Sequence, residues 1–396
     1  MGPWFAILRR HRVVRASAAA IFLYGFAGAA TSPYQSLIAI RELGMSDSAY
    51  AAVALCAAVA NVVMAIGVGM ISDRFQSYRR PLIFVSCFGV LGYGMVWAVP
   101  SVTTFAIATL APLAMFHTMN SMLFGNVRAH ASRFDEDEAR IANALMRIMI
   151  SLSWVVMPGA VGLLLRGQSS MIAAYLIAAL VAAGIFLTVT FWLERDAKPA
   201  ATSRAPAVQD LRLIMSPGLL ARVLGVALIS QTLHINGAVL PLIVTGRANG
   251  LPEDVGYLVG IVAVIEVIFM VFWARATRTL AITHALLICS ALYLAYLAGI
   301  AMASAPWHVY LASCVAGFAA AGIISLPIGY LLDLIRDRPG LSASLIAVNV
   351  CAGGGIGAFI FAIGTGFGGY GLAAVLSGIA GCGGAVLLIV LEKKRA

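Results

Sequence analysis

The amino-acid sequence predicts an all-α integral membrane protein whose twelve transmembrane helices form two pseudo-symmetric six-helix bundles. Of its 396 residues, 62% are hydrophobic and only 11% are charged, and the mean hydropathy is +0.97. A soluble protein of this size cannot cover so much apolar surface with polar side chains. The composition therefore excludes a soluble enzyme, a disordered chain and a fibrous repeat.

Twelve apolar runs are long enough to cross a bilayer, whose hydrocarbon core of about 30 Å requires roughly 20 helical residues. Helices satisfy their own backbone hydrogen bonds in lipid, and the runs are too long and continuous for barrel strands. The first run follows several arginines but is too long for a signal peptide, so we expect it to be retained. The predicted spans lie near 13–38, 49–71, 81–99, 101–127, 140–165, 170–193, 218–245, 254–274, 282–303, 307–333, 341–367 and 370–391.

Basic residues are distributed unevenly between the predicted loops. With a cytoplasmic N-terminus, 22 of the 26 Lys and Arg residues lie in inner segments and only 3 in outer loops. The positive-inside rule therefore places both termini in the cytoplasm. The same bias accounts for the net charge of +10, so nucleic acid is not an expected partner.

The longest polar interruption, residues 194–217, separates six spans from six spans. It is rich in Ala, Pro and charged residues. Equal halves joined by a linker are typical of transporters built from internal repeats. We therefore predict an N-terminal bundle at 1–193, a cytoplasmic linker at 194–217 and a C-terminal bundle at 218–396.

Two charged residues lie inside predicted spans, where they are costly and usually functional. Glu266 is in the middle of the eighth span and has no basic residue in its own helix. A carboxyl group there could take up and release a proton at each face of the membrane, or it could be a permanently protonated structural group. Arg147, in the fifth span, could bind substrate, pair with a carboxylate, or tether two helices.

Neutral polar side chains recur in the first and fourth predicted spans of each half, the helices that line the cavity in six-plus-six transporters by analogy. Amides, hydroxyls and aromatic faces suit an uncharged, polyhydroxylated ligand. Each could instead form only a helix–helix hydrogen bond. The candidate substrate-binding residues are Tyr24, Gln35, His117, Asn120, Gln231, His234, Asn236 and Asn349.

Charged residues at the inner ends of several spans are candidates for gating, namely Asp73, Arg74, Arg128 and Asp333. Asp73 could contact a helix N-terminus and Asp333 could pair with Arg336 in one conformational state. The alternative is that these groups are simply hydrated helix ends. The acidic residues 135–138, which precede the fifth span, are expected to stabilise the start of that helix.

The sequence contains no pattern of an enzyme, a metal site or an ATP-driven pump. It has no P-loop and no HExxH motif, and none of the six cysteines forms a CxxC pair. We therefore expect no cofactor, with a proton gradient as the energy source. The expected partners are a small-molecule substrate, protons and the lipid bilayer, and we expect a monomer.

The layout of the spans and several segments of the sequence resemble a known family. The six-plus-six layout, with Gly-Met-Ile-Ser-Asp-Arg at 69–74, resembles the major facilitator superfamily. Within it, the segments 120–131 and 144–158 and the context of Glu266 are similar to the bacterial sugar efflux transporter group. This resemblance implies the major facilitator fold and proton-coupled export of sugars or sugar-like glycosides across the bacterial inner membrane.

Two other functions remain open from the sequence. The many Phe, Trp and Met residues would also suit multidrug or other small-molecule efflux by the same fold. A function of another class, a non-transporting membrane sensor or an integral membrane enzyme, is disfavoured because no catalytic constellation accompanies the helices.

Overall fold

The computed structural model describes residues 3–75, 78–130, 134–168, 170–194, 216–335 and 339–393, although the side chains of 3–6, 69–75, 136 and 339–344 are not included in that description. Within these ranges all regular secondary structure is helical. In chain order the helices are α1 Pro3–Arg10, α2 Arg12–Thr31, α3 Asp47–Phe75, α4 Arg79–Ala98, α5 Val102–Leu110, α6 Pro112–His117, α7 Met119–Ala129, α8 Glu136–Leu164, α9 Ala173–Phe191, α10 Pro217–Thr245, α11 Pro252–Ala276, α12 Ile282–Ala301, α13 Pro306–Leu334 and α14 Pro339–Lys393.

The predicted spans are confirmed as helices. Eleven candidate membrane spans, by length and apolar composition, occur in the described residues, and the last covers Leu345–Lys393. That segment is interrupted at Gly368 and at Gly369, whose φ of +75° is readily adopted only by glycine. The helix α14, Pro339–Lys393, therefore contains both of the final predicted spans, 341–367 and 370–391.

Two predicted spans are less regular than a single α-helix. The fourth is divided into α5, α6 and α7, with breaks at Ala111, which precedes Pro112, and at Thr118. The first continues beyond α2 as a short 3-10 turn at Ser32–Tyr34 and a π-helical stretch at Leu37–Glu42. Pro33 and Pro112 lack a backbone N–H, which explains why regular α-helical bonding fails near them.

Helix α1 was not predicted, because its eight residues are too few to cross a bilayer. Its end is fixed to the start of α8. Arg10 and His11 both contact Glu138, at N–O distances of 2.9 and 3.2 Å. Asp135 caps α8 by accepting a 2.7 Å hydrogen bond from the Glu138 N–H. The predicted role of this acidic run at a helix start is confirmed.

The described chain divides into two compact units. The first comprises Met1–Tyr34, Glu42–Gly44 and Ala60–Thr202, and the second comprises Gln35–Arg41, Met45–Val59 and Ser203–Ala396. The second unit therefore includes two short segments from the first two predicted spans. The linker predicted at 194–217 lies almost entirely outside the described residues.

Each unit is held together by helices that are distant in sequence. In the first unit, α2 packs against α8 and α9, and α4 packs against α9. In the second unit, α10 packs along α14, and α13 contacts both α11 and α12. Large apolar side chains such as Val63 (60% exposed) and Ile66 (59%) lie on the outside of α3, as expected for a surface solvated by lipid.

Candidate functional site

Glu266 lies near the middle of α11, in the second unit. Its side chain is half-buried, between neighbours that include the exposed Val264, Val267 and Ile268. It forms no hydrogen bond or ion pair with another described residue. The structure therefore places an acid at membrane depth without a basic partner in the described part of its unit.

Arg147 lies about three turns into α8, in the first unit, and its side chain is exposed. Among the described residues it has neither a hydrogen bond nor an ion pair. Asn143, one turn earlier, is also exposed and donates to the carbonyl of Ala139. Because Arg147 and Glu266 belong to different compact units, the predicted pairing of the two stays a prediction.

A polar pair forms in the first unit between α2 and the end of α6. The hydroxyl of Tyr24 is 3.2 Å from Nδ1 of His117. His117 is exposed at the point where α6 ends, and Tyr24 also packs against the ring of Phe116. Asn120, three residues after His117, is exposed as well. The break between α6 and α7 thus leaves two predicted substrate residues, His117 and Asn120, exposed, and the half-buried Tyr24 contacts the first of them.

Gln35 falls in the segment that belongs to the second unit, where its side chain is half-buried. Its neighbour Ser36 is buried and donates a 2.7 Å hydrogen bond to the carbonyl of Ala238 on α10. This bond positions Gln35 beside the C-terminal half of α10. Its role in substrate binding stays a prediction.

Gln231 is completely buried in the contact between α10 and α14. Its amide nitrogen donates to the carbonyl of Ser377 at 2.8 Å, and its amide oxygen accepts from the Ser377 hydroxyl at 2.9 Å. Both ends of the amide are therefore satisfied by protein groups. In this conformation Gln231 joins two helices and is not presented to a ligand.

His234 and Asn349 share one partner, Ser230, at the same contact between α10 and α14. Nδ1 of His234 is 3.2 Å from the Ser230 carbonyl, and the Asn349 amide donates to the Ser230 hydroxyl at 3.1 Å. His234 is exposed, whereas Oδ1 of Asn349 is buried and has no hydrogen-bond partner among the described residues. Gly357 allows this approach, since a Cβ there would lie 3.3 Å from that of His234.

Asn236 is half-buried on α10 and accepts a 2.7 Å hydrogen bond from the hydroxyl of Tyr296 on α12. Tyr296 and its neighbour Tyr293 were missed by sequence reasoning. The available signal was their spacing of three residues near the middle of an apolar span, which places both on one helix face. Ser230 and Ser377 were also missed, because their importance depends on partners far away in sequence.

The gating candidates are only partly covered by the structure. The side chains of Asp73 and Arg74 lie outside the described residues, as does Arg336, the predicted partner of Asp333. Arg128 is exposed in the last turn of α7, and Asp333 is exposed in the last turn of α13. Their gating roles stay predictions.

Residues 18–358 match the description of the Major Facilitator Superfamily. The chain belongs to this superfamily. A relative from Deinococcus radiodurans, named "Putative sugar efflux transporter", is 28% identical over 262 residues, which cover 65% of this chain and 67% of the relative. The chain is therefore a multi-pass membrane transporter of the Major Facilitator Superfamily, as the sequence resemblance implied.

Solved structures of other transporters have the same fold as this chain. The crystal structure of the nucleoside transporter NupG matches with a TM-score of 0.79 and 14% identity, covering 96% of this chain and 98% of that chain. A POT family transporter in complex with a thioalcohol-conjugated peptide matches with a TM-score of 0.79 and 9% identity, covering 96% of each chain. At these identities the likeness shows the fold alone.

Proposed function

We propose that this transporter exports sugars or sugar-like glycosides in exchange for protons, by alternating access. The observation that supports proton coupling is Glu266, an acid near the middle of α11 with no hydrogen bond or ion pair to another described residue. A carboxyl group that is neither neutralised by a base nor tied by hydrogen bonds can change its protonation state without breaking the fold.

The chemistry of the accessible polar groups favours an uncharged, hydroxyl-rich substrate. Tyr24, His117 and Asn120 in the first unit, and His234 and Asn236 in the second, offer hydroxyl, imidazole and amide groups with both donor and acceptor capacity. The relative named for sugar efflux agrees with this substrate class. Arg147 is exposed and, unlike Arg140 at the start of α8, forms no ion pair with another described residue, so it is a second candidate for proton coupling or for substrate contact.

The proposed cycle uses a proton gradient and no bound cofactor. Both termini are cytoplasmic in this proposal, following the distribution of basic residues. Glu266 takes up a proton when it is accessible from outside and releases it when it is accessible from inside. The outward movement of substrate is driven by this inward movement of protons.

Purified protein in proteoliposomes, with an imposed pH gradient, tests the assignment of Glu266. We expect Glu266→Gln to abolish pH-driven accumulation of sugar while leaving exchange of labelled for unlabelled sugar, which needs no net proton movement. Glu253→Gln is the matched control, because Glu253 lies in the first turn of the same helix. The control is expected to keep pH-driven accumulation within about twofold of the unchanged protein.

Accumulation of sugar against its gradient by the Glu266→Gln protein would show that another group carries the proton. The substrate class is tested separately by thermal stabilisation, since a ligand that binds the native state raises the melting temperature. Stabilisation by glucose or lactose supports the proposal. Stabilisation only by hydrophobic cations would replace sugar export with multidrug efflux.

A further inference from the structure

Three candidate membrane spans of the first unit have an end at the same place in the structure. The span that contains α2 begins at Arg12, the span of α4 begins at Arg79, and the span of α9 ends at Phe191. Both α2 and α4 pack against α9, and the Arg79 side chain donates a hydrogen bond to the Thr190 carbonyl in the last turn of α9. The side chains at these span ends therefore lie at the level of the phospholipid headgroups.

Arg12 holds the end of α9 with one edge of its guanidinium group. Its Nε donates to the Trp192 carbonyl at 3.1 Å, and its Nη2 donates to the Phe191 carbonyl at 3.2 Å. A guanidinium has five N–H donors, so three remain on the edge formed by Nη1 and Nη2. Arg12 is exposed, and no other described residue accepts a hydrogen bond from it. The remaining edge is therefore available to an anion that accepts two parallel hydrogen bonds.

Two further guanidinium groups follow closely along the chain. Arg15 lies one turn after Arg12 on α2, and Arg80 lies in the first turn of α4. Both are exposed, and neither forms an ion pair with another described residue. The acid that is nearest in sequence to the end of α9 is Glu194, which is half-buried. Positive charge therefore exceeds negative charge at this end of α9, even with Glu194 counted.

Two aromatic side chains are exposed beside these charges. Phe191 is 67% exposed and Trp192 is 57% exposed, at the point where α9 ends. Aromatic rings are enriched at this depth of a membrane, where they contact the boundary between headgroups and acyl chains. A free anion in water has no apolar part to cover them. A phospholipid has both a phosphate and hydrocarbon chains, so the combination of groups favours a lipid.

We propose that Arg12, Arg15 and Arg80, together with the rings of Phe191 and Trp192, bind the headgroup of an anionic phospholipid. The phosphate accepts hydrogen bonds from the remaining edge of Arg12, and the excess positive charge selects a lipid of net negative charge. In the orientation that the positive-inside rule predicts, this lipid belongs to the cytoplasmic leaflet. The inference is independent of the transported substrate and of the role of Glu266.

Lipid titration of the purified, full-length protein, followed by native mass spectrometry, tests this site. We expect phosphatidylglycerol to bind more tightly than phosphatidylcholine, which has no net charge. The double variant Arg15→Gln, Arg80→Gln should weaken phosphatidylglycerol binding about ten- to thirtyfold, since each basic residue near a membrane surface contributes about fivefold. This variant keeps the bonds from Arg12 and Arg79 to α9, so the three helices stay joined.

The matched control removes two charges from the second unit. Arg275 lies in the last turn of α11 and Arg278 follows that helix, and both are exposed. The double variant Arg275→Gln, Arg278→Gln should therefore keep phosphatidylglycerol affinity within about twofold of the unchanged protein. Arg80→Gln alone is the second test variant for the case in which the first double variant does not fold, and it should weaken binding about fivefold.

Three results would overturn this inference. Equal affinity of the unchanged protein for phosphatidylglycerol and phosphatidylcholine would show that headgroup charge is not recognised. Equal weakening by the two double variants would show only a general attraction between basic residues and anionic lipid. Displacement of phosphatidylglycerol by an equal concentration of inorganic phosphate would show a simple anion site instead of a lipid site.

Discussion

The hydroxyl of Tyr370 donates a 2.9 Å hydrogen bond to Oδ1 of Asp47, across 323 residues of sequence. Asp47 begins α3, Tyr370 follows the break in α14, and both residues belong to the second compact unit. Tyr50, one turn into α3, packs against Phe361 with ring centroids 5.5 Å apart. The start of α3 is thus fixed to α14 by one polar and one aromatic contact.

Loss of the Tyr370 hydroxyl should loosen this contact. We expect Tyr370→Phe to increase the maleimide labelling of a cysteine introduced at Ala39, which is completely buried in the same unit, by about three- to tenfold. Mass spectrometry identifies the labelled peptide among the native cysteines. Asp47→Asn, which keeps an acceptor oxygen, is the conservative control. Equal labelling of the Tyr370→Phe protein, the Asp47→Asn protein and the protein with only the introduced cysteine would show that this bond does not restrain the segment around Ala39.

Glu138 should hold α1 in place. Glu138→Gln removes the charge that pairs with Arg10 and His11, and we expect faster tryptic cleavage near Arg10 with a loss of stability below about 1 kcal/mol. Asp137→Asn is the matched control, because the one ion pair of Asp137 with a described residue is to Arg140, and that pair is 76–80% exposed. Similar cleavage of both variants would contradict a specific role for Glu138.

The close approach of α10 and α14 should make Gly384 intolerant of any side chain. A Cβ at Gly384 would lie 2.5 Å from the carbonyl oxygen of Gly225, which is backbone and cannot rotate away. We expect Gly384→Ala to lower the free energy of unfolding by about 1–3 kcal/mol. Gly383→Ala faces open space and should be neutral or slightly stabilising. The melting temperatures of the two purified variants test this expectation. Equal melting temperatures would contradict the close approach of α10 and α14 at Gly384.

His117 should contribute to sugar binding through its exposed ring and its contact with Tyr24. We expect His117→Ala and Tyr24→Phe each to weaken glucose or lactose binding about three- to tenfold, without a comparable loss of melting temperature. His284→Ala is the control, because His284 is exposed near the start of α12. Unchanged affinity in both test variants would exclude this pair from the binding surface.

The breaks in the fourth span show where sequence reasoning loses precision. Apolar length predicts that residues 101–127 cross the membrane, and the helices within Val102–Ala129 confirm it. The interruption at Thr118, which contains no Pro or Gly, depends on local contacts such as the bond from its hydroxyl to the Met115 carbonyl. His117, the residue before this interruption, is exposed.

The sequence by itself, through its hydrophobic residues and their spacing, determined that this protein is a helical membrane protein with an acid inside a membrane span at position 266. These features follow from the transfer of side chains into lipid, which depends on residue type alone. Only the tertiary structure decided which polar groups are satisfied. The Gln231 amide is satisfied by Ser377, 146 residues away, whereas the Asn236 amide oxygen accepts from Tyr296 and its nitrogen has no partner among the described residues. Hydrogen bonds are directional and short-ranged, so they depend on which distant helices pack together.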